Sequence, residues 1–250
     1  MGFHGFDISE YQGMIDWRKI PDKYTFALIR AGFGVTSQQV DKYFHQNMLG
    51  AMNNDFKIGC YWFLYALNVE DSIRNAEAFL EVIKPHEGNI NYPLVLDVEG
   101  DTIRYMKSMG VEPSKYLISE MVKAFCDRIE KAGYYVMVYS DNNFINSYFT
   151  KEVLERYDLW FAYWTTIFEP SYCIRDCGIW QHTNIGKVDG IEGKVDLDYT
   201  ERDYPKIIMD AGLNHLSDEL PVSKTKKTIV SGTVTETDSQ VIIVLEKRAE

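Results

Sequence analysis

A chain of 250 residues that is 46% hydrophobic and 25% charged has the composition of a folded globular protein, which excludes wholesale disorder. Its formal net charge of −11 repels a phosphate polymer, so nucleic acid is not an expected partner, and the same sign disfavours anionic membranes. No stretch reaches the roughly 18 apolar residues of a membrane span, and the opening MGFHGFDISEYQG lacks the basic and apolar regions of a signal peptide.

The first predicted strand is FHGFDIS, 3–9, which leads into a turn at Gln12-Gly13. The second, FALIRAGFG at 26–34, is apolar and ends in glycines, and a helical segment over 41–54 follows it. The third is KIGCYWFLYA at 57–66. Asn68 to Asp71 then reads as a capping box for a helix whose Ile73, Ala76, Leu80 and Ile83 share one face. The fourth strand is YPLVLDVEG at 92–100, and Pro113-Ser114 opens a helix with Leu117, Met121, Val122, Phe125 and Ile129 on one side. A fifth strand at 134–141 is followed by a weaker, Asn- and Phe-rich helix over 142–156. Strands at 158–164, 177–183 and 194–200 complete the series. Most carry apolar residues on both faces, as parallel strands covered on each side do.

The steps from Asp7 through Arg30, Tyr61, Asp97 and Tyr139 leave room for crossover helices, whereas those from Tyr163 to Gln181 and Asp196 fall short of the roughly 30 residues of a βαβ unit. The expected fold is therefore α/β: an irregular (β/α)-barrel, TIM-like, with eight strands and about five helices, over residues 1–212. Residues 213–250 read as a polar linker and a short β-hairpin-like tail, TIVSGTVT and QVIIVLE joined by ETDS, which is the size of a truncated module.

Acids mark the strand ends. LVLDVEGD sets Asp97, Glu99 and Asp101 within five residues. Residues two apart in a strand share a face, so Asp97 and Glu99 look the same way, into the mouth where a parallel barrel carries its chemistry. Crowded carboxyls acquire divergent pKa values, one protonated and one charged, which is what glycoside hydrolysis uses. Asp7 ends the first strand, and Asp196 and Asp198 lie on the last, its neighbour in a closed barrel. Two other readings fit the same residues: an Asp at a strand end caps turns, and clustered carboxylates hold Mg²⁺ or Ca²⁺. The five histidines form no HxxxH or HxH pair and there is no CxxC, so no metal or other cofactor is expected. Tyr61, Tyr65, Tyr139, Trp164 and Trp180 sit near strand ends, where rings can carry the C–H faces of sugars. Cys60 and Cys126 lie in apolar runs, and the spacing of Cys173 and Cys177 leaves a bridged loop open.

In order along the chain, GFDISEYQGMIDW, FALIRAGFG, GCYWFLYA, YPLVLDVEGD, LWFAYW, GIWQHT and GKVDLDYT resemble the motifs of the glycoside hydrolase family 25 lysozymes, the Chalaropsis-type N-acetylmuramidases of bacteria, fungi and phage lysins. The resemblance covers about residues 3–210. It implies an irregular barrel and cleavage of the β-1,4 bond between N-acetylmuramic acid and N-acetylglucosamine in peptidoglycan. Glu99 is then the acid, Asp97 stabilises an oxocarbenium-like centre or the substrate acetamido group, and Asp7 and Asp196 orient acid, water or sugar. Arg30 and Gln181, within the matching blocks, join the aromatic residues as substrate-binding candidates. Peptidoglycan strands are the implied partner, and the cell wall or exterior the implied location, reached by a trimmed signal or by phage-type release. Two positions depart from the pattern: Trp62 stands where many members have His, and Asp198 where Asn is common. A catalytically silent glycan-binding barrel and a metal-dependent hydrolase are the competing readings.

Overall fold

The computed structural model describes residues 2–216, together with the backbone pairing of 231–237 and 240–246. Eight strands close a barrel in chain order: β1 (Phe3–Ile8), β2 (Tyr24–Phe33), β3 (Lys57–Phe63), β4 (Leu94–Asp97), β5 (Val136–Asp141), β6 (Asp158–Ala162), β7 (Ile179–Gly186) and β8 (Val195–Thr200). All eight predicted strands are present. β1 to β7 run parallel, but β8 is antiparallel to both β7 and β1. The loop from Gly186 to Val195 is too short for a crossover helix, so the chain turns back as a hairpin. This corrects the expectation that Asp196 and Asp198 close a parallel strand. Asp196 lies at the start of a reversed strand and Asp198 in its middle, and the reversal brings Asp196 opposite Asp7.

Among the described residues there are seven α-helices: α1 (Phe44–Met52), α2 (Val69–Ile83), α3 (Gly100–Ser108), α4 (Lys115–Lys131), α5 (Asn142–Tyr148), α6 (Lys151–Arg156) and α7 (Tyr204–Asp210). The predicted helix over 142–156 is two helices, because Phe149 takes an extended conformation (φ −99°, ψ 131°) and Thr150 starts α6. Side-chain caps fix the starts of α2 and α4 where the sequence placed them. The Asn68 side chain accepts from Asp71 N (2.9 Å) while Asp71 Oδ2 accepts from Leu67 N (3.0 Å), and Ser114 Oγ accepts from Leu117 N (3.1 Å). No helix among the described residues is long and apolar enough to cross a membrane.

Strand alternation sorts side chains into two layers. Outward residues such as Ala27, Ile29, Trp62, Leu96 and Phe161 pack beneath the helices. Trp62 is fully buried there, stacked on Phe79, with its Nε1 donating to Gly34 O (3.0 Å) and Asn75 Oδ1 (3.2 Å). Inward residues Phe26, Leu28, Tyr92, Val95, Met137 and Trp160 fill the barrel. The Phe26 and Tyr92 rings stack at 4.5 Å between centroids, and any side chain at Gly5 would collide with Phe26. Burying each such ring contributes roughly 1.5–3 kcal/mol. This packed floor closes the barrel below and leaves the other end open.

The compact unit that holds the barrel runs through Leu216. Asn214, in a left-handed conformation (φ 59°), accepts from Tyr135 N (2.7 Å) and donates to Ile90 O and Tyr92 O (3.0 Å each). The predicted linker falls mostly outside the described residues. Within 217–250, β9 (Ser231–Thr237) and β10 (Gln240–Glu246) pair antiparallel as a hairpin.

Candidate active site

Alternation ends nearly every strand on an inward polar or aromatic side chain at the open end of the barrel. β1 supplies Asp7, β2 Arg30, β3 Tyr61, β4 Asp97, β5 Tyr139, β7 Gln181, and reversed β8 supplies Asp196 near its start. Together with Tyr65, Glu99, Asp101 and Trp160 they line a cleft of about 390 Å³. A larger hollow of about 590 Å³ lies around Trp17, Tyr24 and Tyr92, away from these acids.

The three carboxylates of LVLDVEGD part company once β4 ends. Asp97 is the last strand residue and is buried at 6% exposure. Glu99 stays extended (φ −152°, ψ −165°) as the residue that caps α3, and its N–H lies 3.5 Å from Thr102 Oγ1, which in turn donates to Leu64 O at 2.9 Å. Asp101 lies in the first turn of α3, where a negative charge suits the helix dipole, and pairs with Arg104. Thus two of the three face the cleft floor and the third belongs to its rim.

Burial dominates the electrostatics. It pushes the Glu99 carboxyl up to about 7, with Asp101 and Asp141 adding like charge. It raises Asp196 to about 6. Asp7, Asp97 and Asp198 are raised well above the carboxylate range by burial, with Asp196 and Asp198 acting on Asp7, and Glu99 on Asp97. Asp97 Oδ1 and Asp198 Oδ2 are buried without a hydrogen-bond partner among the described residues. Cationic relief comes from Arg30, whose guanidinium bonds Glu10 Oε1 (2.8 Å) and buried Asp41 Oδ2 (2.7 Å) and draws the Asp97 carboxyl downward.

Gln181 is the hub of the opposite wall. Its Oε1 accepts from Tyr139 Oη (3.1 Å) and Trp164 Nε1 (3.0 Å), and its Nε2 donates to Asp7 Oδ2 (2.8 Å). Three partners leave the amide one orientation, with its NH₂ toward Asp7. Below it, Trp160 Nε1 donates to Asp198 Oδ1 (2.8 Å).

The family described as Glycosyl hydrolases family 25 matches residues 6–191. The chain belongs to glycosyl hydrolases family 25. Among curated relatives, the uncharacterized protein YegX of Escherichia coli is 29% identical over 200 residues, covering 78% of this chain and 68% of YegX. The autolytic lysozyme of Clostridium acetobutylicum is 28% identical over 195 residues, covering 78% of this chain and 54% of the lysozyme. Among solved structures, the modular autolysin LytC of Streptococcus pneumoniae superposes with a TM-score of 0.67 at 28% identity, over 79% of this chain and 46% of LytC. The chain thus spans about half of each of these two larger proteins. LytC has also been solved with a synthetic peptidoglycan ligand, and that structure matches with a TM-score of 0.66.

In this family 25 barrel the four acids named from sequence, Asp7, Asp97, Glu99 and Asp196, line one cleft, as do Arg30, Tyr61, Tyr65, Tyr139 and Gln181. Trp180 does not. It precedes inward Gln181, so alternation turns it to the outer layer, where it stacks near Phe168 and donates from Nε1 to Tyr163 O (2.8 Å). Trp164 is half-exposed and reaches the site only through Gln181. Sequence reasoning passed over Trp160. Counting back by twos from Ala162 in DLWFAYW would have turned it inward.

Proposed function

We propose that this barrel is a peptidoglycan hydrolase that cleaves the β-1,4 bond between N-acetylmuramic acid and N-acetylglucosamine. The observation that carries the proposal is the pairing of Glu99, raised to about 7, with buried Asp97 on the floor of one open cleft. A carboxyl near 7 is half-protonated at neutral pH and can donate to a leaving glycosidic oxygen. In this reading Glu99 is the general acid. Asp97, two residues away with a buried Oδ1 that has no partner among the described residues, meets the developing charge or the substrate acetamido N–H. Asp7 and Asp196 hold water or sugar, and Asp7 is itself held by Gln181. The lysozyme and autolysin relatives support the substrate class, and the proposed place of action is the cell wall. No cofactor enters the scheme.

Borohydride labelling and mass spectrometry of digested peptidoglycan test it. New muramic-acid reducing ends from the parent, absent with Glu99→Gln, are expected. New glucosamine ends would keep a hydrolase but move the bond. Sugar affinity without new ends, unchanged in Glu99→Gln, would instead make this a glycan-binding barrel.

A further inference from the structure

The loop between β6 and β7 carries a pair of free thiols that the cleft chemistry does not use. Cys173 Sγ and Cys177 Sγ lie 3.3 Å apart, and the Cys173 thiol also donates to Arg175 O (3.2 Å). A disulfide needs the sulfurs at about 2.05 Å, so a shift of little more than an ångström joins them. The two are held differently. Cys177 is tied to the barrel, since the next residue, Gly178, donates to Leu159 O (2.9 Å) and sits where a side chain would strike the Tyr204 hydroxyl. Cys173 closes a 3₁₀ turn at Pro170–Tyr172 and belongs to the loop proper. Between them Arg175 reaches Asn146 Oδ1 (2.7 Å) and Asn142 Oδ1 (3.3 Å) on α5, over the ring of Phe161.

We infer that Cys173 and Cys177 are a reversible dithiol–disulfide pair, and that oxidation ties the β6–β7 loop to the barrel edge with Arg175 clamped on α5. Cys173 is the attacking thiol: its bond with Cys177 draws it down to about 7, while Cys177 is pushed up by the same bond and by burial. The oxidant class is a low-molecular-weight disulfide such as glutathione disulfide. Cys173 thiolate attacks one of its sulfurs, forming a mixed disulfide and expelling one glutathione thiolate. Cys177 then loses its proton to solvent, attacks Cys173 Sγ and expels the second. Two protein thiols are oxidised and one small disulfide is reduced to two thiols. The ring is short, so closing it removes little chain entropy, and the bridge stays open to reduction.

Trypsin supplies the test, because it cuts after Arg175 and separates the two cysteines. The native full-length chain is incubated with glutathione disulfide, blocked with iodoacetamide and digested without reduction. The expected product is peptide 157–175 joined to peptide 176–187, returned to separate peptides by dithiothreitol. In Cys177→Ser the mixed glutathione adduct should persist on Cys173. Before oxidation, Cys173 should react with a maleimide at least about tenfold faster than the fully buried Cys60 and Cys126. A stable glutathione adduct on parental Cys173 with no joined peptides would overturn the inference. So would joined peptides that arise only between two chains, or maleimide rates at Cys173 equal to those of the buried thiols.

Discussion

Single carboxyls carry the proposed chemistry and a stability cost. Glu99→Gln should lower the hydrolytic rate by roughly 10²–10⁴-fold, because an amide has no proton to give the leaving oxygen. The same change should stabilise the fold at alkaline pH. Glu99 in the folded state binds its proton up to about 7, so the native form holds more protons than the unfolded chain between about pH 4.5 and 7. Stability is therefore lost as pH rises through that window. The Gln variant, free of this term, should gain up to about 3 kcal/mol at pH 8 over the parent and nothing at pH 4, read from urea midpoints. Asp198→Asn should behave likewise with little loss of rate. Its carboxyl is raised by burial, and the Asn Oδ1 still accepts from Trp160 Nε1. Equal stability of Asp198→Asn and parent across pH would show that Asp198 is not a buried raised acid. Gln181→Leu strips acceptors from Tyr139 and Trp164 and a donor from Asp7. It should cost about 1–3 kcal/mol and at least about tenfold in kcat/KM.

Elements bring those residues together, and the decisive one is β8. Its reversal follows from a connection too short to cross over, and it places Asp196 beside Asp7 at the open end. Strands were legible because apolar runs of that length, separated by turn residues, have few other readings. The acids were legible because charges interrupt those runs at their ends. The direction of β8 was not legible: the alternation in VDLDY is the same read either way, and only pairing partners define direction. The helix at 142–156 broke at Phe149 for a tertiary reason, since Thr150 N donates to Ser119 Oγ (2.9 Å) of α4. The segment after α7 is equally tertiary. Asn214→Ala would leave Tyr135 N–H and two carbonyls unpaired and should cost about 2–4 kcal/mol in chemical denaturation, although Asn214 looks like a linker residue in sequence.

At the scale of the molecule, acidity and cleft combine. A net charge of −11 opposes approach to a wall rich in anionic polymer. Raising ionic strength from about 0.01 M to about 0.15 M should therefore speed hydrolysis of such walls, while short neutral fragments respond little. The pH–rate curve should fall on its alkaline side as Glu99 loses its proton near 7, and on its acid side as Asp196, near 6, gains one. Asp196→Asn should remove or displace the acid limb alone. An unchanged acid limb would assign it to another carboxyl of the cleft.

The strand count, the order of the elements and the four acids at strand ends could all be read from the sequence alone. These are local facts: a two-residue period, a capping side chain, a charge where an apolar run stops. The tertiary structure decided which of Tyr61 and Trp62 faces inward, that Trp180 turns away while Trp160 joins the floor, and that β8 runs backwards. It also decided how strongly each carboxyl is raised. Those outcomes depend on register and on burial by residues far along the chain, and neither is fixed until the barrel closes.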